Sequence, residues 1–385
     1  MTPKERVLAA LAHREPDRVP HGEFATDHSV IEQALGRPTY WRGKRRLTEA
    51  LWAGKRDEVV EGMKRDIVEF TLKLGIDMVP VNAMPHRDCP ILAPKQIDED
   101  TWEDANGNIL KYSPETEDIG LHHESGKGIP RPDFRLPPEP DASEMELTKH
   151  VIEQLGKTHF IFARPGRNMG AGGYIKGWSA DRFIRVAEDP EGVARQEMAS
   201  AESMVNVVRP FAEAGVDAVS IGSDYGFNSG PFVSPDTFRK VYFPAMKRRC
   251  EIIHDFGLPV LFHSCGNNRV ILDQMVEAGM DAYQAIQPIE RIEEIKELYG
   301  DRLTLWGGVS TDTLGRGTPE QVRQQALFSI KYCARRGGLI LSSSHSVVVR
   351  TPLANYQAML DTICERGTYP IDISEAAPQP GWGSA

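Results

Sequence analysis

Eight short apolar segments run through the chain at intervals, and they constrain its fold more than any other feature. They are Val19 to Phe24, Met78 to Ala83, His159 to Arg164, Ala218 to Asp224, Pro259 to Cys265, Ala282 to Gln287, Leu303 to Val309 and Leu339 to His345. The later ones alternate with amphipathic stretches of helical length: Pro235 to Phe256, Asn268 to Ala278, Ile289 to Tyr299 and Pro319 to Arg336. Continuous apolar runs suit strands covered on both faces, and strand–helix alternation is the pattern of parallel βα units. Turns such as Ala214-Gly-Val-Asp217, Phe256-Gly-Leu-Pro259 and Ala278-Gly-Met-Asp281 place a glycine where each helix stops. Eight strands close a parallel barrel, so the predicted fold is α/β, a (β/α)8 TIM-type barrel. A doubly wound open sheet would use the same elements, but it usually carries a Gly-rich nucleotide loop after its first strand. Arg164-Pro-Gly-Arg-Asn-Met-Gly-Ala-Gly-Gly173 matches neither the phosphate loop nor the dinucleotide fingerprint, and reads as a mobile active-site loop or a plain turn.

The chain has 385 residues, 40% of them hydrophobic, which is enough for a full core. Its 55 acidic and 45 basic residues leave a net charge of −10, opposed to the phosphate neutralisation that nucleic-acid binding requires. No window reaches the apolar length of a membrane span, and Met1-Thr-Pro-Lys-Glu-Arg lacks the apolar core of a signal peptide. That start predicts a helix instead, with Thr2 as N-cap, Pro3 at the first position, Glu5 completing a capping box, and Val7, Leu8 and Leu11 buried. Five cysteines without pattern point to a reducing, cytoplasmic compartment.

Residues 84–150 are polar and proline-rich, with the hairpin signal Asn106-Gly107, and are expected to lie over the barrel mouth. Residues 1–373 are expected to form one domain with an N-terminal helical extension, and 374–385 a flexible tail.

Active sites of such barrels lie at the carboxyl ends of the strands. Those ends deliver Glu23, Asn82, Arg164, Asp224, Tyr225, His263, Cys265, Gln287, Asp312 and His345. His263 and Cys265 are spaced i, i+2, which on a strand puts both side chains on one face. His345 ends another strand at the same mouth, and Glu23 is a candidate fourth ligand on a strand next to it. Catalytic zinc takes three protein ligands of these types and keeps a position open. The bland reading of the pair is a hydrogen-bonded histidine beside an inert thiol. Asp224 and Tyr225 are candidates for proton donation or substrate positioning, or for capping a loop. Arg164 suits a carboxylate or phosphate, or a structural ion pair. Asn82 and Gln287 are further substrate-binding candidates, while Trp178, Phe227 and Trp306 suit an apolar wall or ordinary packing. His122, His123 and Glu124 sit in the hydrophilic insertion, where a solvated face is the simpler account.

A resemblance runs through nearly the whole chain. It is carried by Thr2-Pro-Lys-Glu-Arg-Val-Leu-Ala-Ala-Leu, Glu15-Pro-Asp-Arg-Val-Pro20, Ser234-Pro-Asp-Thr-Phe238, His263-Ser-Cys-Gly-Asn267, Gln287-Pro288, Gly307-Gly308, Gly317-Thr-Pro319, and Gly337-Gly338 through His345 to Asn355. The chain resembles the uroporphyrinogen decarboxylase superfamily, and within it the zinc-dependent methyltransferases that work with corrinoid proteins. The resemblance implies a barrel in which His263 and Cys265 match the first two zinc ligands. Those methyltransferases often carry a second cysteine where this chain has His345, so a metal here would keep more positive charge and polarise a bound oxygen more strongly.

The expected activity is zinc-dependent transfer of a methyl group from a small, methoxylated substrate to a corrinoid protein, an O-demethylation. The runner-up is a metal-free decarboxylase acting on a small carboxylated substrate. The decarboxylases, however, carry an arginine-bearing segment where this chain has Val19-Pro-His-Gly-Glu-Phe-Ala-Thr-Asp-His28. A barrel that only binds a small molecule or a corrinoid protein is a third reading, and assembly into a homodimer is left open.

Overall fold

The computed structural model describes residues 1–88, 91–125, 141–165 and 179–374. Seven parallel strands form one sheet, in the order Met78–Val81, Phe160–Ala163, Ala218–Gly222, Val260–His263, Ala282–Ile286, Thr304–Val309 and Leu339–Ser343. Each lies inside a segment predicted from sequence. The eighth segment does not form a regular ladder. It joins the last strand through an isolated parallel bridge between His21 and Leu341, with a second between Thr26 and Val347. On its other side Asp77 donates its backbone N–H to the His21 carbonyl at 2.9 Å. Pro20 has no N–H to give, which interrupts the ladder, but its carbonyl accepts from Leu341 at 3.0 Å. Gly22 faces the first strand so closely that a Cβ there would sit 2.3 Å from Met78 Cβ. The seven-stranded sheet therefore curls into a TIM-type barrel whose seam is filled by residues 19–26.

Both faces of the strands are buried. Met78, Phe160, Phe162, Ala218, Leu261, Ala282, Trp306 and Ile340 fill the interior, with Val7 and Ala10 of the first helix, Pro3–Leu11, packed against them. Val79, Ile161, Val219, Val260, Phe262, Tyr283, Leu305 and Leu341 belong to the larger outer core shared with the helices. The capping box of Thr2 and Glu5 is formed, but Leu8 is exposed and Ala9 and Ala10 are buried in its place. The close approach of this helix to the barrel admits small side chains better than leucine. Beneath the seam the buried Asp77 carboxylate pairs with Arg6 at 2.5 Å and Arg18 at 2.9 Å, and accepts the His21 N–H at 2.8 Å. That network ties the N-terminal segment to the start of the first strand, because each buried charge has a partner.

The insertion forms a four-stranded antiparallel sheet, Lys95–Asp98, Thr101–Glu103, Ile109–Ser113 and Asp118–His123. Its hairpin turns at Asn106-Gly107, with Gly107 at φ +80°. Trp102 packs against Trp52 and lies beneath Arg45, which anchors the sheet to the helix Arg45–Trp52. No helix among the described residues is long and apolar enough to cross a membrane. Cys250, Cys265, Cys333 and Cys364 are free. The expected tail and most of the Gly-rich loop lie outside the described residues.

Candidate functional site

Alternation along the strands sets the site. Leu261 points into the barrel, so His263, two residues on, does the same at the carboxyl end. Ala282 and Gln284 repeat the pattern on the neighbouring strand, where Gln284 is the register partner of His263. A bulge between Gln284 and Ile286 leaves Ala285 at φ +74°, a region unusual for a side-chain-bearing residue. Nδ1 of His263 hydrogen-bonds Gln284 Oε1. With Nδ1–H donating there, Nε2 keeps its lone pair for a ligand.

Cys265 reaches the site by a different route from the one expected. The strand stops at His263, and Cys265 lies in the turn beyond it. Gly266 follows at φ +87°, and a Cβ on it would meet the Gly226 carbonyl oxygen at 2.1 Å. Asn268, fully buried, donates to the carbonyls of Cys265 at 3.0 Å and Ser264 at 3.3 Å. Beneath it Glu290 accepts from the Asn268 N–H at 3.1 Å and from the Tyr283 hydroxyl at 2.9 Å.

His263, Cys265 and His345 each present a ligand atom within 4.8 Å of the others, all three half-buried. Among the described residues they are the group brought together this way. Two imidazoles and a thiol are a donor set suited to zinc, and the fixed Nδ1 of His263 supplies the orienting contact that such ligands need. Burial, followed by Asp224, pushes the Cys265 thiol up to about 12. Burial, followed by repulsion from His263, pulls His345 down to about 4, leaving it neutral as a ligand must be. A bound cation would reverse the cysteine shift and hold the thiolate.

Asp224 approaches His263 Nε2 at 3.5 Å and accepts the Cys265 N–H at 3.2 Å. Its contact with His263, and then the Cys265 N–H, hold its carboxyl well below the usual range, so it is an ionised acceptor and not a proton donor near neutrality. Glu23 is buried outside the three-ligand group, accepts the Ser343 N–H at 3.1 Å, and is pushed up to about 8 by burial. Tyr225 is turned into the core against Phe238, Tyr242 and Phe262. Asn82 donates to the Arg164 carbonyl at 2.8 Å. Gln287 caps the turn Pro288–Glu290. Trp306 fills the barrel interior and donates to the Gly22 carbonyl at 2.6 Å. Phe227 is exposed, as are Asp312, His122 and His123. Trp178 lies outside the described residues.

Sequence reasoning passed over two members of the site. The Phe24 ring stacks on His263, and the Arg164 guanidinium lies 3.9 Å over the Phe24 ring. Gln284 was hidden in an apolar strand, where a lone amide was the only signal of a polar task.

Residues 180–366 match the family model described as uroporphyrinogen decarboxylase (URO-D). Over 163 residues the chain is 26% identical to the methylcobamide:CoM methyltransferase MtaA of Methanosarcina barkeri, covering 42% of this chain and 45% of that protein. It is 21% identical over 174 residues to a uroporphyrinogen decarboxylase of Syntrophotalea carbinolica, covering 45% of this chain and 49% of that one. The chain thus spans less than half the length of these curated relatives in each match. A solved methyltransferase structure from Methanosarcina mazei superposes with a TM-score of 0.63 over 95% of this chain and 99% of its own, at 19% identity, which speaks to the fold. Residues 180–366, just under half of the chain, are thus similar to the uroporphyrinogen decarboxylase (URO-D) family, and the barrel agrees with that likeness.

Proposed function

We propose that the protein is a zinc-dependent methyltransferase that moves a methyl group from a small methoxylated compound to the cobalt of a corrinoid held by a partner protein. The observation that carries this reading is the convergence of His263, Cys265 and His345 at the strand ends of a barrel homologous to a methylcobamide:CoM methyltransferase. Zinc at these residues would supply a Lewis acid for the oxygen that methyl leaves. One thiolate and two neutral imidazoles leave such a cation more positive than two thiolates would, which favours polarising a departing oxygen over activating a thiol.

The chain's own groups prepare that site. Gln284 orients His263 through Nδ1, and Phe24 stacks on a face of the imidazole. Asp224 accepts from the Cys265 backbone N–H, fixing the turn. Glu23, neutral at pH 7, keeps a proton beside the last strand without adding charge to the site. In the transfer the carbon–oxygen bond breaks with its electron pair left on oxygen, the methyl group bonds to reduced cobalt through the cobalt electron pair, and the departing oxygen takes up a proton from solvent.

Reduced corrinoid, free as cob(I)alamin or on its carrier, would be incubated with the zinc-loaded protein and methoxylated aromatics, methylamines or methyl thioethers. Absorbance reports conversion to methylcobalt, and methoxylated compounds should lead. Turnover confined to thioethers or thiols would remove the charge argument. The URO-D family match supports metal-free decarboxylation as the second reading. Carbon dioxide released from a carboxylated substrate without methyl transfer would favour it.

A further inference from the structure

Among the described residues, Arg164 is a candidate cation at the strand ends for which no ion-pair partner is found. Its backbone is fixed, with its N–H donating to the Val81 carbonyl at 2.8 Å and its carbonyl accepting from Asn82. Its half-buried guanidinium forms no hydrogen bond or ion pair among the described residues. Instead it rests on the Phe24 ring at 3.9 Å. The His263 ring stacks on the same Phe24 ring at 4.3 Å. One aromatic ring therefore contacts both this cation and a member of the three-ligand group.

The surroundings add positive charge. Arg42 and Lys44 lie in the loop before the helix Arg45–Trp52, at φ +56° and +53°, a backbone region that side-chain-bearing residues seldom occupy. The buried Asp27 holds both, with Arg42 at 2.6 Å and Lys44 at 3.3 Å, and Asp118 takes Lys44 at 3.2 Å. Arg42 and Asp27 act electrostatically on both Arg164 and His345, which places this loop beside both. Arg42 and Lys44 thus have Asp27 and Asp118 as partners, while Arg164 makes no ion pair among the described residues. Burial, and then Arg42, pull its guanidinium down to about 9 against the opposing pull of Asp27, so it is still protonated near neutrality, with no carboxylate in direct contact among the described residues.

We propose that Arg164, backed by Arg42, is a carboxylate-binding subsite, so that the compound acted on at His263, Cys265 and His345 is a small monocarboxylate whose methylated oxygen lies several bonds from the carboxylate. The identity of the reacting group rests on the methyl-transfer reading, whereas the subsite does not. A planar guanidinium pairs with a carboxylate through two parallel hydrogen bonds.

The test is calorimetric titration of the zinc-loaded protein with 4-methoxybenzoate, 3-methoxybenzoate and the neutral 4-methoxybenzamide. The wild type should prefer a carboxylate over the amide. Arg164→Gln should weaken carboxylate binding by about tenfold or more, while Arg164→Lys retains part of it, because a charge-assisted pair is lost in one and weakened in the other. Thermal midpoints within a few degrees of wild type confirm that the variants fold. Equal binding of carboxylate by wild type and Arg164→Gln would overturn the proposal, as would preference for the amide or no binding of either carboxylate. The cob(I)alamin assay separates the two claims. Arg164-dependent binding without methylcobalt formation ends the methyl-transfer reading and leaves the subsite standing. Methylcobalt formed equally well from neutral compounds by both proteins does the reverse.

Discussion

The phenyl ring of Phe24 lies flat on the imidazole of His263, with centroids 4.3 Å apart and planes 7° from parallel. The two residues come from the barrel seam and from the strand Val260–His263, far apart in sequence, and meet only because the barrel closes. One face of the imidazole is thereby fixed, Gln284 fixes Nδ1, and His345 meets the ring edge-on with centroids 5.2 Å apart. Little freedom remains for His263 beyond presenting Nε2.

The purified protein is expected to hold about one zinc per chain, since three protein ligands with an open position make a catalytic site. Elemental analysis should show bound metal falling in Cys265→Ala and in His345→Ala. Unchanged zinc in either variant would take that residue out of the ligand set.

Chelation should abolish methyl transfer and move the thermal midpoint by no more than a few degrees. The core is built from Met78, Phe160, Phe162, Trp306 and their neighbours, and owes nothing to a metal. Unfolding on chelation would show that the ion is structural.

Gln284→Ala removes the acceptor that orients His263 and is expected to weaken zinc binding by roughly 10- to 100-fold, the usual cost of losing such a contact. Competition with a chromophoric chelator measures it, with thermal melting as the folding control. Wild-type affinity in the variant would mean that Phe24 alone suffices to position the ring.

Gly266→Ala should destabilise the protein by on the order of 1–3 kcal/mol and lower zinc occupancy together, because the added Cβ meets the Gly226 carbonyl and φ is positive. Denaturant titration and metal analysis on the same preparation test this. A stable variant with full zinc would show that the Cys265 turn can rearrange.

In metal-free protein, four buried groups set opposing pH slopes. Burial pulls His21 down to about 3 and His345 to about 4, so from there up to the ordinary 6.5 the unfolded chain binds more protons, and stability rises with pH. Burial pushes Glu23 and Glu290 up to about 8, so from the ordinary 4.5 to about 8 the folded chain holds more protons, and stability falls as pH rises. Of these four, only the carboxyls titrate between pH 6.5 and 8, where the thermal midpoint should decline. Glu290→Gln should shrink that decline, and a wild-type midpoint that stays level across the window would contradict the assignment.

The amino-acid sequence by itself determined the barrel and pointed to the strand ends where the candidate site lies. Continuous apolar runs alternating with amphipathic helices carry their periodicity locally, and seven runs became strands within the expected bounds. The ligand types at His263, Cys265 and His345 were legible because polar groups stood at the ends of apolar strands. Tertiary structure decided the rest. Periodicity does not say that Pro20 would break the eighth ladder, or that Cys265 would enter from a turn held by Gly266 and Asn268. Tyr225 turned into the aromatic core, and Leu8 yielded its place to Ala9 and Ala10. The stack of Arg164, Phe24 and His263 joins three separate stretches of chain. A sequence records which face of its own element a side chain takes, whereas contacts between distant elements are settled only when the sheet closes and packing selects the rotamers.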